Sequence, residues 1–190
     1  MALSTPAALA RAEAAYRPRA NRLGLWLFLA SETFLFAALI STRYIISGTE
    51  VPTDANQGLA LAITVMLLAS SISAYLAESS IAHDDRRGFL RYALITIALG
   101  SVFLVGVVLE FREGFESFPP GTVYGSVFFA LIGFHGFHVL GGVLALAVVA
   151  NLGRLGHFGS HDFWGAEGVI KYWHFVDLMW VAIYPTLYLI

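Results

Sequence analysis

The sequence predicts an all-α integral membrane protein, a bundle of five transmembrane helices with almost no soluble domain, and three observations carry that expectation. Hydrophobic residues make up 58% of the 190 and charged residues only 13%, against about 25% charged in a soluble domain. The apolar residues fall into five stretches, each near the ~20 residues that cross about 30 Å of hydrocarbon. Polar residues and helix breakers are confined to the gaps between them.

The stretches are residues 23–46, 58–78, 92–111, 124–151 and 172–190. Gly48 and Pro52 mark the first gap, His83-Asp84-Asp85-Arg86-Arg87 the second, and Pro119-Pro120-Gly121 the third. The last gap, residues 151–171, is rich in glycine and histidine. The fourth stretch is long for one crossing, so it is expected to tilt or to extend past the bilayer. Residues 1–21 are read as an N-terminal cytoplasmic segment and residues 22–190 as one membrane domain. Residues 1–20 carry Arg11, Arg17 and Arg19 but no continuous apolar core, so they do not read as a cleaved signal peptide.

Basic residues orient the spans. Arg11, Arg17, Arg19, Arg22, Arg86, Arg87, Arg91, Arg154 and Lys171 fall on one predicted side, and only Arg43 and Arg112 on the other. Short loops rich in Lys and Arg stay cytoplasmic, which predicts the N-terminus inside and the C-terminus outside a bacterial cytoplasmic membrane. The chain has no cysteine, which excludes disulfides, thiolate metal sites and a thiol nucleophile. A net charge of −2 gives no reason to expect a nucleic-acid partner. No internal repeat of the kind that builds transporters is present.

Chemistry at membrane depth rests on a few ionisable residues. Glu32 lies about nine residues into the first stretch, roughly 13 Å deep at 1.5 Å per residue. His135 and His138 sit mid-way along the fourth, three residues apart and so on one face. His174 and Asp177 repeat that spacing in the fifth, Glu110 lies at the outer end of the third, and Glu78 near the inner end of the second. Such groups are costly in hydrocarbon and are expected to face the bundle and find partners. They can serve a proton path or a cofactor, or simply hydrogen-bond between helices, which is the commoner role. A lone carboxylate at the depth of Glu32 is poorly solvated, so Glu32 is expected to carry a proton or to pair with His135 or His138. His138 is placed roughly 20 Å from the inner surface and His174 roughly 3 Å, a mismatch for bis-histidine haem ligation. His135, His138 and Glu32 have the ligand types of a metal site but lack the repeated histidine boxes of membrane di-iron enzymes.

Gly133, Gly136, Gly141 and Gly142 let helix backbones approach closely, placing the fourth stretch centrally, with Ser70, Ser71 and Ser73 acting similarly in the second. Trp26, Trp164, Tyr172, Trp173, Tyr184 and Tyr188 lie towards stretch ends, as interfacial anchors do. Arg22, Arg43, Arg154 and Lys171 lie near predicted interfaces, where cationic groups meet lipid phosphates, although ordinary snorkelling accounts for any one of them.

Gly133-Phe134-His135-Gly136-Phe137-His138-Val139 resembles the G-F-H-G-x-H-V segment of subunit III of haem–copper terminal oxidases. Tyr172-Trp173-His174-Phe175-Val176-Asp177 with Trp180 resembles that family's Y-W-H-F-V-D-x-x-W motif. Ser31-Glu32-Thr33 with Phe34 and Phe36 is similar to its first conserved helix with a buried glutamate. Leu67-Leu68-Ala69-Ser70, Val123-Tyr124-Gly125-Ser126 with Phe128-Phe129, Glu110 and the loop residue Glu167 also match, and the likeness spans residues 22–190. The resemblance implies a non-redox core subunit of the aerobic respiratory chain, in an enzyme that couples oxygen reduction to proton pumping. It implies no cofactor in this chain, haem and copper in partner subunits I and II, bound phospholipid, and a supporting role in proton uptake and in the stability of the complex. Two departures stand out. Longer members carry two further N-terminal helices, so the chain is similar to the short five-helix bacterial form, and Glu78-Ser79 stands where many members have a His-His pair. An accessory subunit of a nitric oxide reductase and a stand-alone proton or solute transporter remain the alternatives.

Overall fold

Helix starts and stops are written in the capping residues, and they carry every helix beyond its apolar stretch. The computed structural model describes residues 6–49, 51–52, 57–160 and 162–190, with side chains from residue 19 onward. Residues 1–5 of the expected N-terminal segment, and the side chains of Arg11 and Arg17, lie outside the described residues. Five helices form: α1 (Pro6–Thr42), α2 (Gln57–Ala82), α3 (Arg86–Ser117), α4 (Val123–Leu155) and α5 (Trp164–Tyr188). A π-helical turn, Arg43–Ser47, extends α1 to Gly48, whose φ is 68°. The expected cytoplasmic segment is therefore helical from Pro6 and continuous with the first span.

Asp85 caps α3 by accepting from the Gly88 N–H at 2.9 Å, which draws Arg86 and Arg87 out of the expected loop and into the first helical turn. Thr122 does the same for α4, accepting from the Gly125 N–H at 3.0 Å; such caps satisfy donors that a helix start leaves orphaned. Gly156, at φ 85°, ends α4 in the left-handed conformation, with its own N–H on Gly153 O at 3.0 Å and the His157 N–H on Leu152 O at 3.1 Å. That is the paired closure that lets glycine terminate a helix. α5 starts eight residues before the expected apolar stretch, at Trp164, with Glu167 in its first turn where a negative charge complements the helix N-terminus.

Among the described residues, four helical segments are long and apolar enough to cross a membrane: Arg19–Ser47, Gln57–Ala82, Arg86–Ser117 and Val123–Leu155. α5 is not apolar enough, since it carries Glu167, Lys171, His174 and Asp177 along its length. The five-span expectation is thus met by composition in four helices only.

α2 packs on α3, α3 on α4, α4 on α5, and α5 returns to α2, closing a four-helix bundle; α1 lies outside it against α4 and α5. The α2–α5 seam is polar and antiparallel. Gln57 donates to Tyr188 O at 2.9 Å, Trp180 Nε1 to Thr64 Oγ1 at 2.8 Å, and Trp173 Nε1 to Ser70 Oγ at 3.0 Å. Trp173 is fully buried between two glycines: a Cβ on Gly142 would come within 2.7 Å of its ring, and one on Gly100 within 2.5 Å. Trp173 and Tyr188, expected as interfacial anchors, are instead core residues. Their ring N–H and hydroxyl groups point into the bundle because α5 faces α2 with its polar stripe. Trp26 is 60% exposed, as an anchor should be.

Candidate functional site

One residue of each histidine motif, His138 and Tyr172, meets the other where α1, α4 and α5 come together. His138 projects from α4 towards α1, and its Nε2 lies 3.0 Å from Glu32 Oε2. Its Nδ1 lies 2.7 Å from Phe134 O. A carbonyl oxygen only accepts, so Nδ1 carries a hydrogen, and the Nε2–Oε2 contact then holds one further proton on one side or the other. The pair is only partly shielded, with side chains 11% and 19% exposed. Phe36 covers it, its ring centroid 5.0 Å from the His138 ring, and Tyr172 donates to His138 O at 3.1 Å. Of the two partners expected for Glu32, the structure selects His138.

His135, one turn away, does something different. It is fully buried, and its ring sits among Trp180 at 4.9 Å, Phe103 at 5.5 Å and Phe36 at 6.3 Å between centroids. Neither ring nitrogen has a hydrogen-bond partner among the described residues. The i,i+3 offset turns the two imidazoles about 60° apart, enough to send one to the bundle centre and the other to the α1 cleft.

His174 faces a third direction. Its Nδ1 lies 2.7 Å from Ser71 Oγ on α2. The early start of α5 corrects the depths assigned from the sequence. Gly142, one turn past His138, packs on Trp173, so His174 and His138 lie within about a turn of each other in depth. What separates them is direction: His138 looks to α1 and His174 to α2. Asp177 is 3% exposed, with Ser71 adjacent but neither carboxylate oxygen in hydrogen-bond geometry with a described residue. Among the described residues, no three His, Asp or Glu side chains gather as a metal-ligand set.

Charge collects at the end of the bundle where α5 begins. Lys171 pairs with Glu167 one turn earlier and with Glu78 of α2 at 3.7 Å. Arg22 of α1 reaches Glu167 at 3.8 Å and lies over the Trp164 ring at 5.5 Å. Arg154 hydrogen-bonds Asn151 within α4 at 3.0 Å. Arg43 departs from the expected interfacial position: it is fully buried, donates to Gly48 O and lies 5.1 Å over the Tyr124 ring. The π-helical turn folds the chain back over it, which removes it from the lipid-facing surface. Glu110 is buried at the opposite end of the bundle, where α5 stops, seven residues before α3 ends.

Two grooves flank α1 where it leans on α5. One, of about 450 Å³, is lined by Trp26, Leu29, Thr33, Lys171, His174 and Leu178. The other, of about 590 Å³, is lined by small residues including Gly24, Ala145, Gly165 and Gly168, with Trp164 and Tyr172. Sequence reasoning missed Ser71, Thr64, Phe36 and Phe103 as partners of the polar and aromatic groups. The seven-residue spacing of Trp173 and Trp180, two helical turns on one face, was the available signal for the α2 seam.

Residues 9–190 match the family model for cytochrome c oxidase subunit III. A probable cytochrome c oxidase subunit 3 from Nocardia farcinica is 31% identical over 202 aligned residues, covering 100% of this chain and 98% of the relative. The cytochrome c oxidase subunit 3 of Corynebacterium diphtheriae is 34% identical, covering 97% and 95%. That of Pongo pygmaeus is 35% identical over 88% of this chain and 68% of its own.

Proposed function

The chain belongs to the cytochrome c oxidase subunit III family, and we propose that it serves as the non-redox membrane subunit of a haem–copper terminal oxidase. In this reading it packs against subunit I, with haem and copper held in subunits I and II, while it retains structural lipid and supports proton uptake during turnover. The observation that carries the reading is the Glu32–His138 contact at 3.0 Å. It joins the family's glutamate helix to its histidine helix at membrane depth, in a cleft that is only partly closed.

The rest of the arrangement fits that role. The grooves beside α1 are largely apolar; Lys171 lines one and Arg22 lies over Trp164 of the other, as cationic groups that could meet phosphate oxygens. α5 crosses with the other four helices: its 25 residues span about 37 Å, and its polar groups are sheltered by α2 and α4 rather than turned to lipid. The excess of basic residues on one predicted side supports an N-terminus in the cytoplasm and a C-terminus outside, in a bacterial inner membrane. Residues 22–190 act as one domain.

Purification in mild detergent tests the proposal. The chain should arrive with haem-bearing partners and retained phospholipid, and when separated from them it should show no Soret band and no stoichiometric iron or copper. A chain that purifies alone, or that keeps one metal per molecule after separation, would overturn it.

A further inference from the structure

One buried acid has no part in the Glu32–His138 cleft or in the charged end of α5. Asp177 lies mid-way along α5 and is 3% exposed. Ser71 of α2 turns its hydroxyl to the Asp177 carboxylate, and the same Oγ lies 2.7 Å from His174 Nδ1. His174 is only half-buried and lines the groove of about 450 Å³ beside α1, one turn deeper than Lys171, which lines it too. Lys171 of α5 and Glu78 of α2 are the charged groups that act on His174. They pair with each other at 3.7 Å, so they bring His174 little net charge. Among the described residues no cation pairs with Asp177.

The order of these groups is that of a proton relay. Asp177 and His174 are three residues apart on α5, and one serine on the facing helix touches both. A carboxylate buried without a counter-charge is costly, so Asp177 holds a proton. With Nδ1 turned to Ser71, Nε2 on the far side of the imidazole is the nitrogen left to the groove. An imidazole takes a proton on one nitrogen and releases one from the other, and a serine hydroxyl both accepts and donates, its hydrogen rotating to suit either neighbour. We propose that Asp177 is a proton-storage site that exchanges with the groove beside α1 through Ser71 and His174. On filling, hydronium at the groove mouth gives a proton to Nε2 and becomes water. Nδ1 passes its own proton to Ser71 Oγ, and Ser71 hands its hydroxyl hydrogen to the carboxylate. Emptying runs the same transfers backwards. The relay deepens the proton-uptake part of the proposed function and rests on it for its purpose, whereas the exchange itself is a property of this chain.

Infrared spectroscopy of the full chain in detergent tests the relay, because a protonated carboxyl gives a C=O band apart from those of ionised carboxylates. One such band should vanish in Asp177→Asn and move in Ser71→Ala, where the acid loses its hydroxyl neighbour; the second variant identifies the band even if the first fails to fold. In heavy water the band should shift as O–H becomes O–D. That shift, taken relative to amide exchange in the same sample, should be about 10²-fold slower in Ser71→Ala and in His174→Gln, the low end of what a positioned proton-transfer group contributes. Ser71→Thr keeps the hydroxyl and should exchange at the parent's rate. His174→Gln can still hydrogen-bond Ser71 but cannot pass a proton, so a purely packing role would leave its rate unchanged. No protonated-carboxyl band that responds to Asp177 or Ser71, or exchange at the parent's rate in Ser71→Ala or His174→Gln, would overturn the relay. Co-purification with haem-bearing partners would then still support the oxidase role, so the two failures are distinguishable.

Discussion

The α2–α5 seam and the α1 face are both built from polar residues between helices, yet they are built to different ends. Along the seam, two buried tryptophans each donate to a hydroxyl on α2, and glycines on α3 and α4 are cut back to the ring of Trp173. At the α1 face, contact rests on the Glu32–His138 pair, the Phe36 ring and an outlying pair from Arg22 to Glu167, with a groove on either side. In lipid there is no hydrophobic gain from bringing helices together, so packing and hydrogen bonds decide how firmly they hold. The seam has both in depth, whereas the α1 face has a few contacts and open space. The bundle of α2–α5 is the rigid body, and α1 is a helix laid against it.

The comparison breaks most readily at Trp173. Trp173→Ala should cost about 3–5 kcal/mol, the range for truncating a large buried side chain, and should prevent recovery of a folded chain or lower its unfolding temperature in detergent sharply. If the loss is no greater than that from Glu32→Gln, the seam is not the stronger interface. Thr64→Val keeps the side-chain size and removes the hydroxyl that accepts from Trp180 Nε1, leaving a buried donor unpaired, so a cost of about 1–3 kcal/mol is expected. Equal stability of Thr64→Val and the parent would show that the ring alone holds the seam.

Glu32→Gln sharpens the other side. The amide keeps its shape and can donate to His138 Nε2, so assembly should be retained and stability should change by about 0.6 kcal/mol or less, a typical value for an interhelical hydrogen bond in a membrane. Oxidase turnover should stay near the parent's if the pair serves packing, and fall during sustained turnover if it serves proton uptake. Complete loss of turnover in a correctly assembled complex would make Glu32 part of the main proton route. The smallest effect belongs to Arg22→Ala, at about 0.2–0.5 kcal/mol for an exposed pair at 3.8 Å, diminishing with salt. A large, salt-independent loss would mean that α1 is clamped at this end rather than laid against the bundle.

The helical architecture was legible because its causes are local. Runs of apolar residues and the Pro119-Pro120-Gly121 break mark elements whatever surrounds them. Boundaries were less so, since Asp85 and Trp164–Lys171 read as loop until a capping bond or the α2 partner makes them helix. Glu32 and His138 could be named as candidate partners because few carboxylates and imidazoles lie at membrane depth. Their choice of each other over His135 depended on rotation about α4, which spacing alone does not settle. The same limit explains Arg43: an arginine at the end of an apolar stretch reads as interfacial, and only the fold-back at Gly48 buries it. Trp173 was read as an anchor for a like reason, as a ring near the end of an apolar stretch whose helix in fact begins eight residues sooner.

The hydrogen that Phe134 O draws to Nδ1 of His138 has a consequence for the cleft. With that nitrogen committed, Glu32 and His138 share a single mobile proton, and their combined charge is zero whichever atom holds it. The proton can therefore sit on carboxylate or imidazole without changing the net charge of the pair. If α1 swings away, it can leave as a neutral acid from a neutral base instead of tearing two ions apart in oil. A separation of that kind would be electroneutral, leaving the membrane voltage little to act upon.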